Sequence, residues 1–122
     1  MLSSGSRLVS ADNTGIKRFK IIKILGSSFK KYAFLGDIVK VIIVKRKYNK
    51  KIIKKKIYFC IIITLKHFTY RKNGHYINFG RNKALTLSES LKFLGTRVYG
   101  PISKEAKKKN MKRIISYSRG SV

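Results

Sequence analysis

Basic side chains, several of them interleaved with aromatic rings, cluster in four places along this chain, and the chemistry such clusters perform is polyanion binding. Lys17, Arg18, Lys20 and Lys23 flank Phe19; Lys30 and Lys31 stand between Phe29 and Tyr32. The segment 45–56 holds Lys45, Arg46, Lys47, Lys50, Lys51, Lys54 and Lys55 around Tyr48, and 104–113 ends in Lys112 and Arg113. Lys40, Arg71, Arg81 and Arg97 add single cations to the set. Lys and Arg displace counterions from phosphates, while flat rings cover sugars or stack on bases. One such run reads as a solvated face. Four around one small chain do not, because solubility needs a net charge of only ~2–8, and 30 Lys and Arg against 4 Asp and Glu give +26. Lys outnumbers Arg, which favours tracking the phosphates of a folded RNA over bidentate reading of bases.

Other chemistries lack their residues. Hydrolysis or group transfer needs a paired acid and base, an activated nucleophile or a metal. The 4 carboxylates each have a structural position: Asp12 and Asp37 in turns, Glu89 in a loop, Glu105 at a helix start. His67 and His75 flank a turn and, with the lone Cys60, lack the paired spacing of a zinc site. The glycines form neither a dinucleotide nor a phosphate-binding loop. The pattern predicts a protein that is not an enzyme and holds no metal or cofactor. Cys60, set among apolar residues, reads as a buried strand thiol.

The elements that must carry the charges are short strands. At 122 residues with 43% hydrophobic side chains, the chain is too apolar for a disordered basic tail and long enough for a single domain, 1–122, with one core. Strands are expected at 7–10, 17–25, 38–45, 57–66 and 83–87, with turn signals between them, the pattern of a small barrel or sandwich. In the second, Phe19 and Ile21 share one face and Lys20, Ile22 and Ile24 the other. The run 57–66 is too β-branched for a helix and reads as the central strand. Asn73-Gly74 joins 68–72 to 75–79 as a hairpin, with a type I′ turn as the favoured connection. After Pro101, Ser103 is placed to cap a short helix over 104–109, with Glu105 in its first turn, and a second helix is expected over 111–117. The segment 46–56 is an excursion between the third and fourth strands.

A membrane-spanning helix needs ~20 apolar residues, and the longest apolar run, 57–65, is far shorter. Residues 1–10 resemble neither a secretory signal nor an Arg-rich transit peptide. The excess of Lys over Arg and of Ile over Ala is the usage expected from AT-rich codons, as in an organellar or reduced bacterial genome.

Several motifs then combine. Ala11-Asp12-Asn13-Thr14-Gly15 precedes Lys17-Arg18; Lys23-Ile24-Leu25-Gly26 follows; Tyr32-Ala33 leads to Gly36-Asp37-Ile38-Val39-Lys40; and Gly95-Thr96-Arg97-Val98-Tyr99-Gly100-Pro101 closes the series. Between them stand Ile61-Ile62-Ile63, Asn73-Gly74, Phe79 and Asn82. In this order and spacing the chain resembles, from end to end, the universal large-subunit ribosomal protein fourteen family. The resemblance implies a mainly β fold: a five-stranded β-barrel over about 6–100, a β-hairpin extension, and short C-terminal helices within 101–122. It implies a structural constituent of the large ribosomal subunit without catalytic activity. Large-subunit rRNA, small-subunit rRNA at an intersubunit bridge, and ribosomal proteins three and nineteen would be its partners. It also places Thr96 and Arg97, with Lys112 and Arg113, toward partners, among them the ribosome silencing factor. The excursion 47–56 departs from the family's Pro- and Gly-containing version, and Cys60 stands where a small residue is usual. With the codon bias and a start at the family's own first residues, a mitochondrial ribosome is the expected location, a plastid or reduced bacterium the alternative. The competing function is a free regulatory or nucleoid protein that binds single-stranded nucleic acid.

Overall fold

In the computed structural model, which describes residues 2–26, 28–47, 56–109 and 120–122, the apolar positions of five strands turn inward around one axis. The strands are β1 (Arg7–Ser10), β2 (Ile16–Ile24), β3 (Ile38–Arg46), β4 (Tyr58–Thr64) and, after an intervening ribbon, β7 (Lys83–Leu87). They form a closed barrel in the order β1-β2-β3-β4-β7. Neighbours pair antiparallel except at the closure, where β1 runs parallel to β7 through Val9↔Lys83 and Ser10↔Ala84. Closure removes the unpaired edges that would otherwise recruit other chains.

Period-2 alternation decides which side chains fill the barrel. On β3, Val39, Val41 and Ile43 are buried while Lys40 and Ile42 point outward. The interior also holds Leu8, Phe19, Ile21, Tyr58, Cys60 and Ile62. Strand β2 breaks the alternation. Ile24 is buried with Phe19 and Ile21, not placed on the opposite face with Lys20 and Ile22. The reason is a bulge: Ile21 pairs with Val41 and Lys23 with Lys40, so β2 spends two residues where β3 spends one, which returns Ile24 to the inside.

The chain also builds a second apolar cluster, contrary to the single core its length suggests. The outward-facing Ile61 and Ile63 of β4 and Leu85 and Leu87 of β7 are covered by Val98, Ile102 and Ala106. Burial on both faces explains why 58–63 is a continuous apolar run, and each fully buried Ile contributes about 1.5–3 kcal/mol. In a closed barrel β4 is central only in this sense.

The ribbon β5 (Thr69–Tyr70) and β6 (Tyr76–Ile77) projects between β4 and β7. Its connection is not type I′. Gly74 donates its N–H to Arg71 O at 3.2 Å and Arg71 N–H to His75 O at 2.7 Å. Gly74 has φ 83°, whereas the positive φ of type I′ is absent at Asn73. This is a three-residue loop with a glycine bulge, and Asn73 Oδ1 accepts the His75 amide at 3.2 Å, holding Asn73 out of the left-handed region.

Helix α1 (Lys104–Lys109) lies where expected, but Ser103 does not cap it. Ser103 is buried against the second cluster, its N–H donates to Ile63 O, and its Oγ has no hydrogen-bond partner among the described residues. The first-turn amide of Lys104 is satisfied by Val122 O at 3.0 Å instead. The second helix and most of the 46–56 excursion lie outside the described residues. Among those described, no helix is long and apolar enough to cross a membrane.

Candidate nucleic-acid interface

The exposed face of β1, β2 and β3 sets cations directly opposite cations. Arg7 pairs with Lys20 across β1 and β2; Arg18 pairs with Lys45, and Lys23 with Lys40, across β2 and β3. Arg7, Lys17, Arg18, Lys20, Lys23 and Lys45 are all exposed, as is Lys47 beyond the end of β3. Arg46 and Lys40 are partly covered, Lys40 with its ammonium 5.7 Å from the centre of the Phe59 ring. Directly opposed like charges destabilise a sheet by ~0.2–1 kcal/mol per pair. Three such rungs on one face therefore form a surface that an array of anions would stabilise.

The motif 11–15 supports a neighbouring loop. Asp12 is buried, and its carboxylate accepts from Ser10 Oγ at 2.7 Å, Thr14 Oγ1 at 2.6 Å and Thr86 N–H at 3.0 Å. Asn13 turns outward to the loop 95–97: its Oδ1 accepts the amides of Thr96 at 2.9 Å and Arg97 at 3.3 Å, and its Nδ2 donates to Thr96 Oγ1 at 2.9 Å. Gly95 is needed for the approach, since a Cβ there would lie 2.8 Å from Asp12 Cβ. Tyr99 N–H completes the seam by donating to Ala11 O at 2.7 Å. The result presents Thr96 and Arg97 to solvent on a backbone whose amides are already engaged.

Lys30 and Arg71, both expected to face phosphate, each pair with a carboxylate. Lys30 Nζ lies 2.9 Å from Asp37 Oδ2, an oxygen that also accepts the Phe34 amide. Arg71 grips Glu105 through Nε at 2.7 Å and Nη2 at 3.3 Å, and its Nη2 also donates to Val122 O at 2.6 Å. Both side chains organise loops. Lys31, Tyr32 and Arg81 are exposed. Lys50, Lys51, Lys54, Lys55, Lys112 and Arg113 lie outside the described residues.

Cys60 sits fully buried in the barrel and carries no nucleophilic chemistry. Burial pushes its thiol well above the ordinary range; the Asp12 carboxylate adds to this and the facing Thr86 hydroxyl opposes it, leaving a protonated thiol at neutral pH. His67 and His75 are exposed, remote from it in burial and setting.

A family model described as Ribosomal protein L14p/L23e matches residues 1–122, the entire chain. The chain belongs to that family. It is thus a ribosomal protein whose role in the large subunit is structural, and the closed five-stranded barrel agrees with that assignment.

In this family member, two surface features emerge only with the fold. Arg7 joins the basic face because β1 brings it opposite Lys20; the alternation of 7–10 carries that signal, but a lone Arg at the start of the first strand forms no cluster in the sequence. The ribbon exposes Phe68, Tyr70 and Tyr76 together; their aromatic density was visible, but their shared side depended on the turn.

Proposed function

We propose that this chain binds large-subunit rRNA through the outer face of β1, β2 and β3, with the loop 95–97 turned toward the small subunit as part of an intersubunit bridge. The observation that carries the reading is the set of like-charge rungs Arg7–Lys20, Arg18–Lys45 and Lys23–Lys40. Apposed cations on rigid strands cost the free protein stability and gain it back when phosphates lie between them. Arg97, exposed at the end of a loop whose backbone is held by Asn13, is suited to clamp a phosphate or meet a protein at the same edge. The resemblance supports ribosomal proteins three and nineteen as neighbours and the ribosome silencing factor as a visitor at Thr96 and Arg97. Residue usage supports a mitochondrial ribosome.

The test is incorporation. In cells expressing Lys23→Glu with Lys40→Glu, large subunits sedimented through a sucrose gradient at moderate salt should lack the variant, which should collect at the top. Wild-type chain should comigrate with the large subunit. Comigration of both to the same extent would remove this face from the interface, and a wild-type pool at the top would favour a free nucleic-acid-binding protein.

A further inference from the structure

The β5–β6 ribbon holds aromatic rings in solvent in a braced arrangement. Phe68 is 50% exposed, Tyr76 61% and Tyr70 80%. The Phe68 and Tyr76 ring centres are 5.1 Å apart at 89°, and those of Tyr70 and Tyr76 6.0 Å apart at 61°. Edge-to-face contacts fix the rings relative to one another without covering them. A ribbon with two paired residues per strand gains little from exposing such area, so the area answers to something outside the chain.

Tyr70 stands between two depressions of different character. One is lined by Phe34, His67, Phe68 and Thr69, with Phe34 itself 49% exposed. The other is lined by Arg71, Lys72, Asn73, Lys104 and Glu105. In the second, Arg71 neutralises Glu105, so the exposed Lys72 and Lys104 set the sign of the surface. An aromatic-lined depression and a cation-rimmed one that share the Tyr70 ring match a nucleotide whose base is out of its helix.

We propose that Tyr70, braced by Tyr76, is a stacking platform for unpaired RNA, the base lying against the Tyr70 ring in the depression that Phe34 and Phe68 line and the flanking phosphates meeting Lys72 and Lys104. The proposal rests on the rRNA-binding reading and adds a second, chemically different contact to it: the β1–β3 face tracks phosphates, whereas the ribbon requires an exposed base. An acidic or apolar protein segment fits less well, because the aromatic area is broken by cations and the whole chain carries +26.

The chain contains 7 Tyr and no Trp, so its intrinsic fluorescence reports on tyrosine and is quenched by stacking. The full chain would be titrated with an unpaired oligouridylate of about twelve nucleotides and, separately, with an RNA duplex of the same length, using wild type, Tyr70→Leu and Tyr70→Phe. Because Tyr70 is largely in solvent, Leu leaves the fold intact, which circular dichroism verifies. The expected result is an affinity for the unpaired strand about 5- to 150-fold weaker in Tyr70→Leu, near wild type in Tyr70→Phe, and a duplex affinity unchanged within about twofold in both. Equal wild-type and Tyr70→Leu affinities for the unpaired strand would overturn the platform, as would an equal loss on both RNAs. Retained RNA affinity with loss of Tyr70→Leu from large subunits would also overturn it and assign the ribbon to a protein neighbour. Failure of the wild type to bind either RNA would instead strike the rRNA-binding reading itself.

Discussion

Asn13 holds Thr96 from both sides of the amide: Nδ2 donates to Thr96 Oγ1 and Oδ1 accepts the Thr96 N–H, each at 2.9 Å, across 83 positions of sequence. With Gly95 packed on Asp12, this joins the first turn of the barrel to the loop that carries Arg97. The order in which the two motifs occur in the chain says nothing of their contact; the closed barrel creates it.

Asn13→Ala should loosen the loop more than the barrel. Three hydrogen bonds at an exposed site are lost, at a combined cost of about 1–2 kcal/mol. Hydrogen exchange followed by NMR should quicken at the Thr96 and Arg97 amides while β3 and β4 stay protected. Unchanged exchange at those two amides would mean the loop is held by other contacts.

Gly95→Ala should be costlier than its exposure suggests. The new methyl would sit 2.8 Å from Asp12 Cβ and 3.0 Å from Asn13 Oδ1; the first is fixed to the backbone, and the second, though a side-chain end, is held by the Thr96 and Arg97 amides. A loss of about 1–3 kcal/mol in chemical denaturation is expected. Stability equal to wild type would show that the 11–15 turn can shift without cost.

Much of this architecture was legible in residue order, and the failures have physical causes. Strands β1 and β7 fall where alternation and turn residues put them, and the buried Cys60 follows from its apolar flanks. Strict alternation puts Ile24 on the face opposite to the one it takes, because one inserted residue inverts a period-2 pattern and a bulge leaves no mark in composition. Ser103 has the side chain of a cap, yet tertiary burial claims it while the chain's last residue satisfies the helix amide. The ion pair of Arg71 is invisible in residue order because Glu105, its partner, lies 34 positions away. For the candidate site, charge type was readable throughout, whereas the opposition of specific cations required the register between strands.

Lys23→Gln should change stability and binding in opposite directions. Removing one member of the Lys23–Lys40 rung relieves repulsion in the free protein, which should gain about 0.2–1 kcal/mol at low salt, a gain that fades as salt rises. Affinity for RNA should fall, and the slope of log affinity against log salt should become shallower by about one. Denaturation and salt-titrated binding measured on the same preparation test both halves; a variant that is both less stable and unaltered in slope contradicts the rung as a phosphate site.

The buried thiol makes a pH prediction with a definite sign. Cys60 has its pKa raised in the fold, by burial first and by the Asp12 carboxylate second, so the folded state prefers the protonated form. Its contribution is fully present below the unfolded thiol's pKa of about 8.5 and is lost as pH rises from there toward the folded value, because only the unfolded chain can then release the proton. Wild type should therefore lose stability above about pH 9 faster than Cys60→Ala, in which that term is absent. The difference between the two denaturation curves isolates Cys60 from Tyr and Lys titration. A difference that does not vary with pH would refute the buried protonated thiol.

Arg71 and Glu105 should couple the ribbon to the C-terminal segment. The guanidinium makes a two-point contact with the carboxylate and a further hydrogen bond to Val122 O, while Val122 itself pairs with Ile102 and Lys104 over the second apolar cluster. Both side chains are 25% exposed, so the pair keeps more of its energy than a surface ion pair without being a dry one. A double-mutant cycle with Arg71→Met and Glu105→Gln should give a coupling of about 1 kcal/mol. Arg71→Met alone should exceed Glu105→Gln in cost, because it also leaves Val122 O with the Lys104 amide as its remaining donor. Equal single costs would place the whole effect in the Arg71–Glu105 contact and leave residues 120–122 held by their backbone bonds to Ile102 and Lys104.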